Sequence, residues 1–543
     1  MGKCSSKVGA TYQPAASEAS SWQKSSMGST RHSLETGSTT PQKTGSPACE
    51  SSLESMQSMD SILQEQGRPS NATTVIENAH SISHHYHIDL KPLQMGSHGP
   101  VFKGQHLMSG KVRAIKSIAK TNTSDARYAM REVVIMKRLD HPNIVKLFET
   151  YQDSETLHLV TELCTGGHIV EHIVKAGRFS EFEASLVMQQ LLHAVNYMHS
   201  NARICHRDLK TDCIALGSNL AIGKNAVKLT DFGSAKMLQK GQLMSSKLGS
   251  AHFMSPQVLA GSYDESCDVW SIGVIMYILL CGSPPFDGQS DSEVCARVVK
   301  GDLSFDSSTW CNVSEDGKQL IAMLLQKCPH GRYSADQALN HPWVKCQAPK
   351  AADFSVHESF IDHLRSFGAA SQLKKAVLRI IVGELAEKDI KASRDMFRAF
   401  DVNGDGLITM EELKEGIVQA GVRDLPADFV DIVSSIDSQK SGGIDYTEFL
   451  AASLKKDQYL KESACRKAFN VFDRNGDGRI SCNELSQVLN SGSFKDENGS
   501  VAQNDVAQLI KEFGLKNHGQ LDFEEFMLMM LRGCSPRPDD FQL

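Results

Sequence analysis

An acidic 12-residue pattern recurs in the C-terminal part of this chain, and a repeat of that kind leaves few folds open. Copies begin at Asp401, Asp437 and Asp473, so successive starts lie 36 residues apart, and a poorer copy begins at Gly514. A repeat at this period, flanked on each side by helical patterning, makes each unit a helix–loop–helix. The first copy places Asp401, Asn403 and Asp405 at positions 1, 3 and 5, the Leu407 carbonyl at 7 and Glu412 at 12, with Gly406 at the sharp turn. The third copy does the same with Asp473, Asn475, Asp477, Arg479 and Glu484 around Gly478. Such a ring of hard oxygens, closed by a bidentate Glu, suits Ca²⁺.

These units have the EF-hand arrangement. The second copy offers Asp437, Gln439, Ser441, the Gly443 carbonyl and Glu448, with Lys440 in the loop. Its neutral ligands and added positive charge predict weaker Ca²⁺ binding, since affinity follows ligand charge. The fourth keeps Gly519 and Glu525 but has Gly514, Lys516 and His518 at positions 1, 3 and 5. It is expected to pair structurally with the third loop and to hold no ion.

Upstream the pattern changes. Residues 1–84 are rich in Ser, Thr, Gln and Gly and are expected to be a disordered arm, because they bury too little to offset ordering entropy. The arm opens with MGKCSS. Gly2 and Ser6 match an N-myristoylation signal, and Cys4 is placed for a second, thioester-linked chain. One acyl chain binds membranes marginally and two hold stably. The expected location is the cytosolic face of a membrane, the plasma membrane first. His84, His85 and His87 read as part of a solvated entry strand rather than a metal site.

The 543 residues are 41% hydrophobic and 22% charged, with net charge −7, which excludes collagen, coiled-coil rods and a wholly disordered chain. A mildly acidic chain is not an electrostatic nucleic-acid binder. The 14 cysteines form no CxxC pair, so a reducing cytosol fits better than a disulfide framework. No secretory signal is read at the start. The apolar run Val269–Cys281 is shorter than the roughly 20 residues of a spanning helix and reads as a buried core helix.

Between residues 86 and 344, four motifs occur in order: RAIK ending at Lys116, Glu132 in REVVIMKRL, HRDLK over His206–Lys210, and DFG over Asp231–Gly233. SPQ at 255–257 and DVWSIG at 268–273 follow. This stretch resembles the eukaryotic protein-kinase domain. The resemblance implies ATP and Mg²⁺ as cofactors. Lys116 would hold the α/β-phosphates and Glu132 would orient it. Asp208 would accept the substrate hydroxyl's proton, Lys210 would steady the γ-phosphate and Asp231 would ligate Mg²⁺. Gly96, Gly99, Val101, Ala114, Glu162 and Cys164 would line the nucleotide site, with Thr161–Cys164 as gatekeeper and hinge. Ser245, Ser246 or Ser250 would be phosphorylated, with Arg207 as anion partner.

Four departures stand against that pattern. The glycine loop, Gly96–Val101, reads as two residues short, and Pro100 removes an N–H. Cys213 stands where Asn would meet a second Mg²⁺, and a thiol is a poor ligand for that ion. Gln257 replaces the Glu that pairs with Arg332, which removes a compensating charge. His168 replaces an acidic residue that meets ribose.

A kinase domain followed by four EF-hands resembles the calcium-dependent protein kinases of plants and apicomplexan parasites. That resemblance implies an α+β chain: a bilobal kinase fold over 86–344, an autoinhibitory junction over 345–390, then an all-α calmodulin-like domain with hand pairs over 391–455 and 456–531 and a tail over 532–543. Leu373–Ile381 interleaves apolar residues with cations at helical spacing, as a segment that an EF-hand groove accepts. Two functions stay open. One is a calcium-activated Ser/Thr protein kinase acting on protein substrates. The other is a calcium-switched scaffold presenting clients without phosphoryl transfer. A monomer is expected in both.

Overall fold

A computed structural model describes residues 75–78, 81–96, 99–120, 123–239, 241–306, 308–345, 358–422, 425–437, 441–490 and 520–531. Gly2, Cys4, Gln439, Lys440 and the fourth loop from Gly514 to Gly519 lie outside them.

The N-terminal lobe is a six-stranded sheet plus one helix. Its elements are β1 (Ile76–Asn78), β2 (Tyr86–Gly96), β3 (Gly99–His106), β4 (Val112–Ala119), α1 (Thr123–Met136), β5 (Leu147–Gln152) and β6 (Thr156–Thr161). The order is β1-β5-β6-β4-β3-β2, antiparallel except that β1 runs parallel to β5, so the end of the arm expected to be disordered over 1–84 is instead ordered, with Val75 and Ile82 buried. Strand β4 is buried on both faces, with Ala114 opposite Thr161, Ile115 opposite Val160 and Ile118 opposite Leu157 of β6.

The second lobe is helical. It holds α2 (Ile169–Ala176), α3 (Glu181–Ser200), β7 (Ile204–Cys205), β8 (Ile214–Leu216), β9 (Val227–Leu229), β10 (Lys236–Met237), α4 (Pro256–Ala260), α5 (Ser266–Cys281), α6 (Asp291–Lys300), α7 (Glu315–Leu324), α8 (Ala335–Leu339) and α9 (Pro342–Lys345). Ser180 and Glu183 start α3 with a capping box. The run Val269–Leu280 is buried on all sides in α5, as its uniform apolarity requires. Gly273 lets α7 approach: a Cβ there would lie 2.9 Å from Leu324 and Leu325. Among the described residues no helix is long and apolar enough to cross a membrane.

The C-terminal module comprises α10 (Glu358–Gly368), α11 (Gln372–Glu384), α12 (Glu387–Phe400), β11 (Leu407–Ile408), α13 (Met410–Gln419), α14 (Phe429–Ile436), β12 (Ile444–Asp445), α15 (Tyr446–Ser453), α16 (Lys456–Tyr459), α17 (Glu462–Phe472), β13 (Arg479–Ser481), α18 (Cys482–Asn490), β14 (Gln520–Asp522) and α19 (Phe523–Leu531). Each pair of loops is joined by a short antiparallel ladder, β11 with β12 and β13 with β14. Phe397, Phe400, Phe449, Phe472 and Phe526 fill the core, and α11 inserts Leu373, Val377 and Ile381 among them. The interleaved cations of α11 are buried as well. Lys374 Nζ donates to the Met530 carbonyl (2.8 Å) and Lys375 Nζ to the Ser435 carbonyl (2.7 Å), so each meets the negative end of a helix.

Candidate active site and calcium loops

Strand β4 and helix α1 bring Lys116 and Glu132 together in a buried pair, Nζ to Oε1 at 2.7 Å, and Asp231 Oδ1 lies 3.0 Å from the same nitrogen. Burial pushes the Lys116 ammonium down, but the Asp231 and Glu132 carboxylates outweigh it and hold the proton on. Asp231 has φ 63°, which turns its carboxylate out of the β9 direction and towards Lys116.

Asp268 at the start of α5 shapes the catalytic loop. Its two oxygens accept from the backbone N–H of His206 and Arg207, both at 2.8 Å, and His199 Nε2 lies 2.9 Å away. This holds Arg207 at φ 70° and presents Asp208. Asp208 Oδ2 faces Lys210 Nζ at 3.4 Å, and Lys210 also reaches Ser250 Oγ at 3.5 Å. Oδ1 is buried, and no donor among the described residues reaches it. A buried carboxylate oxygen without a donor is costly unless a ligand supplies one. Burial raises the Asp208 carboxyl, and the nearby Lys210 and His206 work against that rise.

The departures now have geometry. Val101 lies opposite both Lys116 and Gln94, and Gly96 pairs with Gly99. Counted back from Val101, the glycine loop has full length, and Gln94 occupies the place of its first Gly. The expected shortening is therefore wrong: the loop carries a substitution at Gln94, not a deletion. Gly99 is sterically required, since a Cβ would lie 2.1 Å from the Ser117 carbonyl oxygen. Cys213 is buried, its Sγ 3.4 Å from the Asp208 carbonyl, and burial beside Asp231 and Asp208 keeps it a neutral thiol. Gln257 replaces the lost charge with two bonds. Its Oε1 accepts from Arg332 Nη2 (2.9 Å) and its Nε2 donates to the Lys327 carbonyl (2.6 Å). Arg332 also donates to the Gln326 and Ser266 carbonyls and faces Trp270, so its donors are satisfied without a carboxylate, while burial still pushes the guanidinium down to about 10. Arg207 Nε donates to the Ser234 carbonyl at 2.6 Å. Of the three serines, Ser250 lies beside a different cation, Lys210.

The first and third loops are closed in the same way. Asp401 accepts from the N–H of Asp405 and Gly406, and Glu412 accepts from Asn403 and Thr409. Asp473 accepts from Asp477 and Gly478, and Glu484 from Arg474, Asn475 and Ser481. Their carboxylates converge. Burial and the neighbouring Asp405 and Glu412 raise Asp401, and burial with Asp477 and Glu484 raises Asp473. Clustered acids of this kind fit a divalent cation, which Asp401, Asn403, Asp405, the Leu407 carbonyl and Glu412, and their counterparts in the third loop, would hold. The second loop differs: Glu448 is fully buried and its Oε1 meets the guanidinium of Arg379 on α11.

Known families and proteins match this chain along most of its length. A protein kinase domain model matches residues 88–344, and EF-hand domain pair models match 390–454, 462–531 and 427–492. The chain is 38% identical over 458 residues to "Calcium-dependent protein kinase 5" of Plasmodium falciparum, covering 84% of this chain and 79% of the other. It is 34% identical over 454 residues to "Calcium-dependent protein kinase 34" of Arabidopsis thaliana, covering 83% and 84%. This chain belongs to the calcium-dependent protein kinase family. Neither the relatives nor the assembled catalytic groups support the scaffold reading.

In this family member the calcium module is docked on both kinase lobes by residues that carry no motif. Thr447, at the N-terminus of α15, donates its N–H and hydroxyl to Asp140 at 2.9 and 2.8 Å. Asn196 on α3 donates to the Asn403 and Gly404 carbonyls of the first calcium loop. Lys111 donates to the Glu384 and Leu385 carbonyls at the end of α11, and Arg113 pairs with Glu384 at 2.6 Å over the Phe148 ring. Sequence reasoning missed Asp140, Asn196, Arg113 and Glu384. Each is an ordinary polar residue whose partner lies far along the chain.

Proposed function

We infer that this chain is a calcium-regulated serine/threonine protein kinase. The observation that carries the reading is the buried set Lys116–Glu132–Asp231 beside the open oxygen of Asp208. Bound ATP supplies the phosphoryl group, and Mg²⁺ held by Asp231 supplies charge neutralisation. Asp208 Oδ1 receives the substrate hydroxyl's hydrogen bond and then its proton. Lys210 steadies the charge on the transferred group, and Lys116 aligns the phosphates with Glu132 fixing its direction. Calcium control acts through the junction. Helix α11 is enclosed by the EF-hand module, and the end of that helix is tied to β4 through Arg113 and Lys111. The test is phosphate transfer to a basic peptide with Ca²⁺ and with chelator. Transfer is expected to rise with Ca²⁺ and to fall about 10²–10⁴-fold in Asp208→Asn. Calcium-independent transfer, or a fully active Asp208→Asn, overturns the reading.

The same inference extends to the arm. Gly2 carries a myristoyl chain and Cys4 a reversible thioester chain, which together hold a monomeric enzyme to the cytosolic face of a membrane. The MGKCSS pattern supports it. In cells fed an alkyne fatty acid the wild type is expected to take label and to pellet with membranes. Gly2→Ala is expected to lose both, and an unlabelled, soluble wild type refutes the anchor.

A further inference from the structure

The three described calcium loops are not equivalent, and the difference lies in what faces their closing glutamates. In the first and third loops, Oε1 of Glu412 and of Glu484 accepts from backbone amides of its own loop. Bidentate closure of a calcium site needs both oxygens of that glutamate turned inwards. In the second loop, Oε1 of Glu448 meets the Arg379 guanidinium, and both side chains are almost fully enclosed. Oε2 of Glu448 lies 3.4 Å from the Asp445 N–H.

The other ligand positions of this loop are engaged with one another. The Ser441 hydroxyl donates to the Gly443 carbonyl at 2.8 Å, joining positions 5 and 7, and lies 3.3 Å from Asp437 Oδ1. At positions 1, 3, 5 and 12 the loop offers two carboxylates, Asp437 and Glu448, against three in the first and third, its other acid being Asp445 at position 9, and Lys440 adds a positive charge to it. A buried carboxylate demands a cation, and a guanidinium supplies both charge and hydrogen bonds. Helix α11 also grips the entrance to the same hand, where Lys375 meets the Ser435 carbonyl two residues before Asp437.

We propose that Arg379 occupies the cation place of the second EF-hand, making that hand a calcium-independent latch that fastens the junction helix to the first hand pair. Calcium is then read by the remaining loops, while α11 stays bound to α14 and α15 in resting and stimulated states alike. This deepens the calcium-regulated reading above and rests on it.

The experiment is calorimetric titration of the chelator-stripped full chain with Ca²⁺. Asp437→Ala removes a position-1 ligand whose partners are the Ser441 and Gly442 N–H groups, so it leaves the Arg379–Glu448 pair in place. The wild type and Asp437→Ala are expected to bind the same number of ions. Arg379→Met is expected to bind about one ion more, the vacated carboxylates now serving Ca²⁺, and Arg379→Met/Asp437→Ala to lose it again. A drop of one ion in Asp437→Ala overturns the latch, and this result stands even if Arg379→Met does not fold. An unchanged count in a folded Arg379→Met overturns it as well. Failure of the calcium-regulated reading looks different: Glu412→Gln and Glu484→Gln would then leave calcium binding unchanged, or phosphate transfer would ignore Ca²⁺.

Discussion

Cys213 shows how one substitution can weaken a site without dismantling it. Asn at this position would bring a hard carbonyl oxygen to a metal, whereas the Cys213 thiol is neutral, buried and directed at the Asp208 carbonyl. The Lys116–Glu132–Asp231 set is untouched by this change, so the expected defect is in charge neutralisation rather than in proton transfer. Restoring the ligand by Cys213→Asn, with Gln94→Gly to restore the first loop glycine, is expected to raise turnover roughly tenfold, about 1.4 kcal/mol of barrier. The same variant should reach half-maximal rate at lower Mg²⁺. Turnover and Mg²⁺ titrations identical to wild type would show that Cys213 does not limit the reaction. The catalytic residues themselves were legible in the sequence because phosphoryl transfer fixes residue types at fixed spacings. Gln94 was misjudged because a missing glycine and a missing residue look alike until Val101 is placed opposite it.

Helices were read well where apolar period and caps agree. The run at Val269–Cys281 forms α5, and Leu373–Ile381 lies within α11. What those segments dock against was not legible, because contacts such as Arg113–Glu384 join residues with no local pattern between them. Helix α3 is a case with a measurable consequence. Its His193 packs against Gly404 of the first calcium loop, and burial, then the Arg398 charge, pushes its imidazole down to about 4 from 6.5. His141 nearby is lowered for the same reasons, with His193 itself contributing. An unfolded His193 takes a proton near 6.5 and the folded one does not, so its contribution is complete above that pH and is lost as pH falls towards 4. One such group gives a slope approaching 1.4 kcal/mol per pH unit inside that window. Calorimetric melting between pH 7.5 and 5.5 is expected to show a steeper loss for wild type than for His193→Gln. Parallel curves would mean that His193 protonates freely in the folded chain.

Taken together, the docking contacts make the calcium module a brace rather than an appendage. It reaches α3 in one lobe and β4 in the other, while none of its described contacts uses Lys116, Asp208 or Asp231. A brace that spans both lobes fixes their relation, and phosphoryl transfer is sensitive to that relation because its groups come from both. The N-terminal strand joins the same assembly. β1 pairs with β5, and Arg474 at position 2 of the third calcium loop donates to the Glu77 carbonyl (3.0 Å) and to Asn78 Oδ1 (2.7 Å). Its other nitrogen bonds Gln487 on α18, so one guanidinium ties strand, loop and exiting helix together. Arg474 is not a ligand position, and its side chain therefore reports on the loop without holding the ion. The loop's shape and the strand's position share this side chain, and whatever ion binding at the loop does to docking of the strand, docking does equally to ion binding. Arg474→Ala and a chain starting after residue 80 are both expected to shift half-maximal calcium activation upwards by several-fold, about 1 kcal/mol of coupling. Combining the two changes is expected to give little more than either alone, because both remove the same contact. Additive shifts would place the strand and the loop in separate devices.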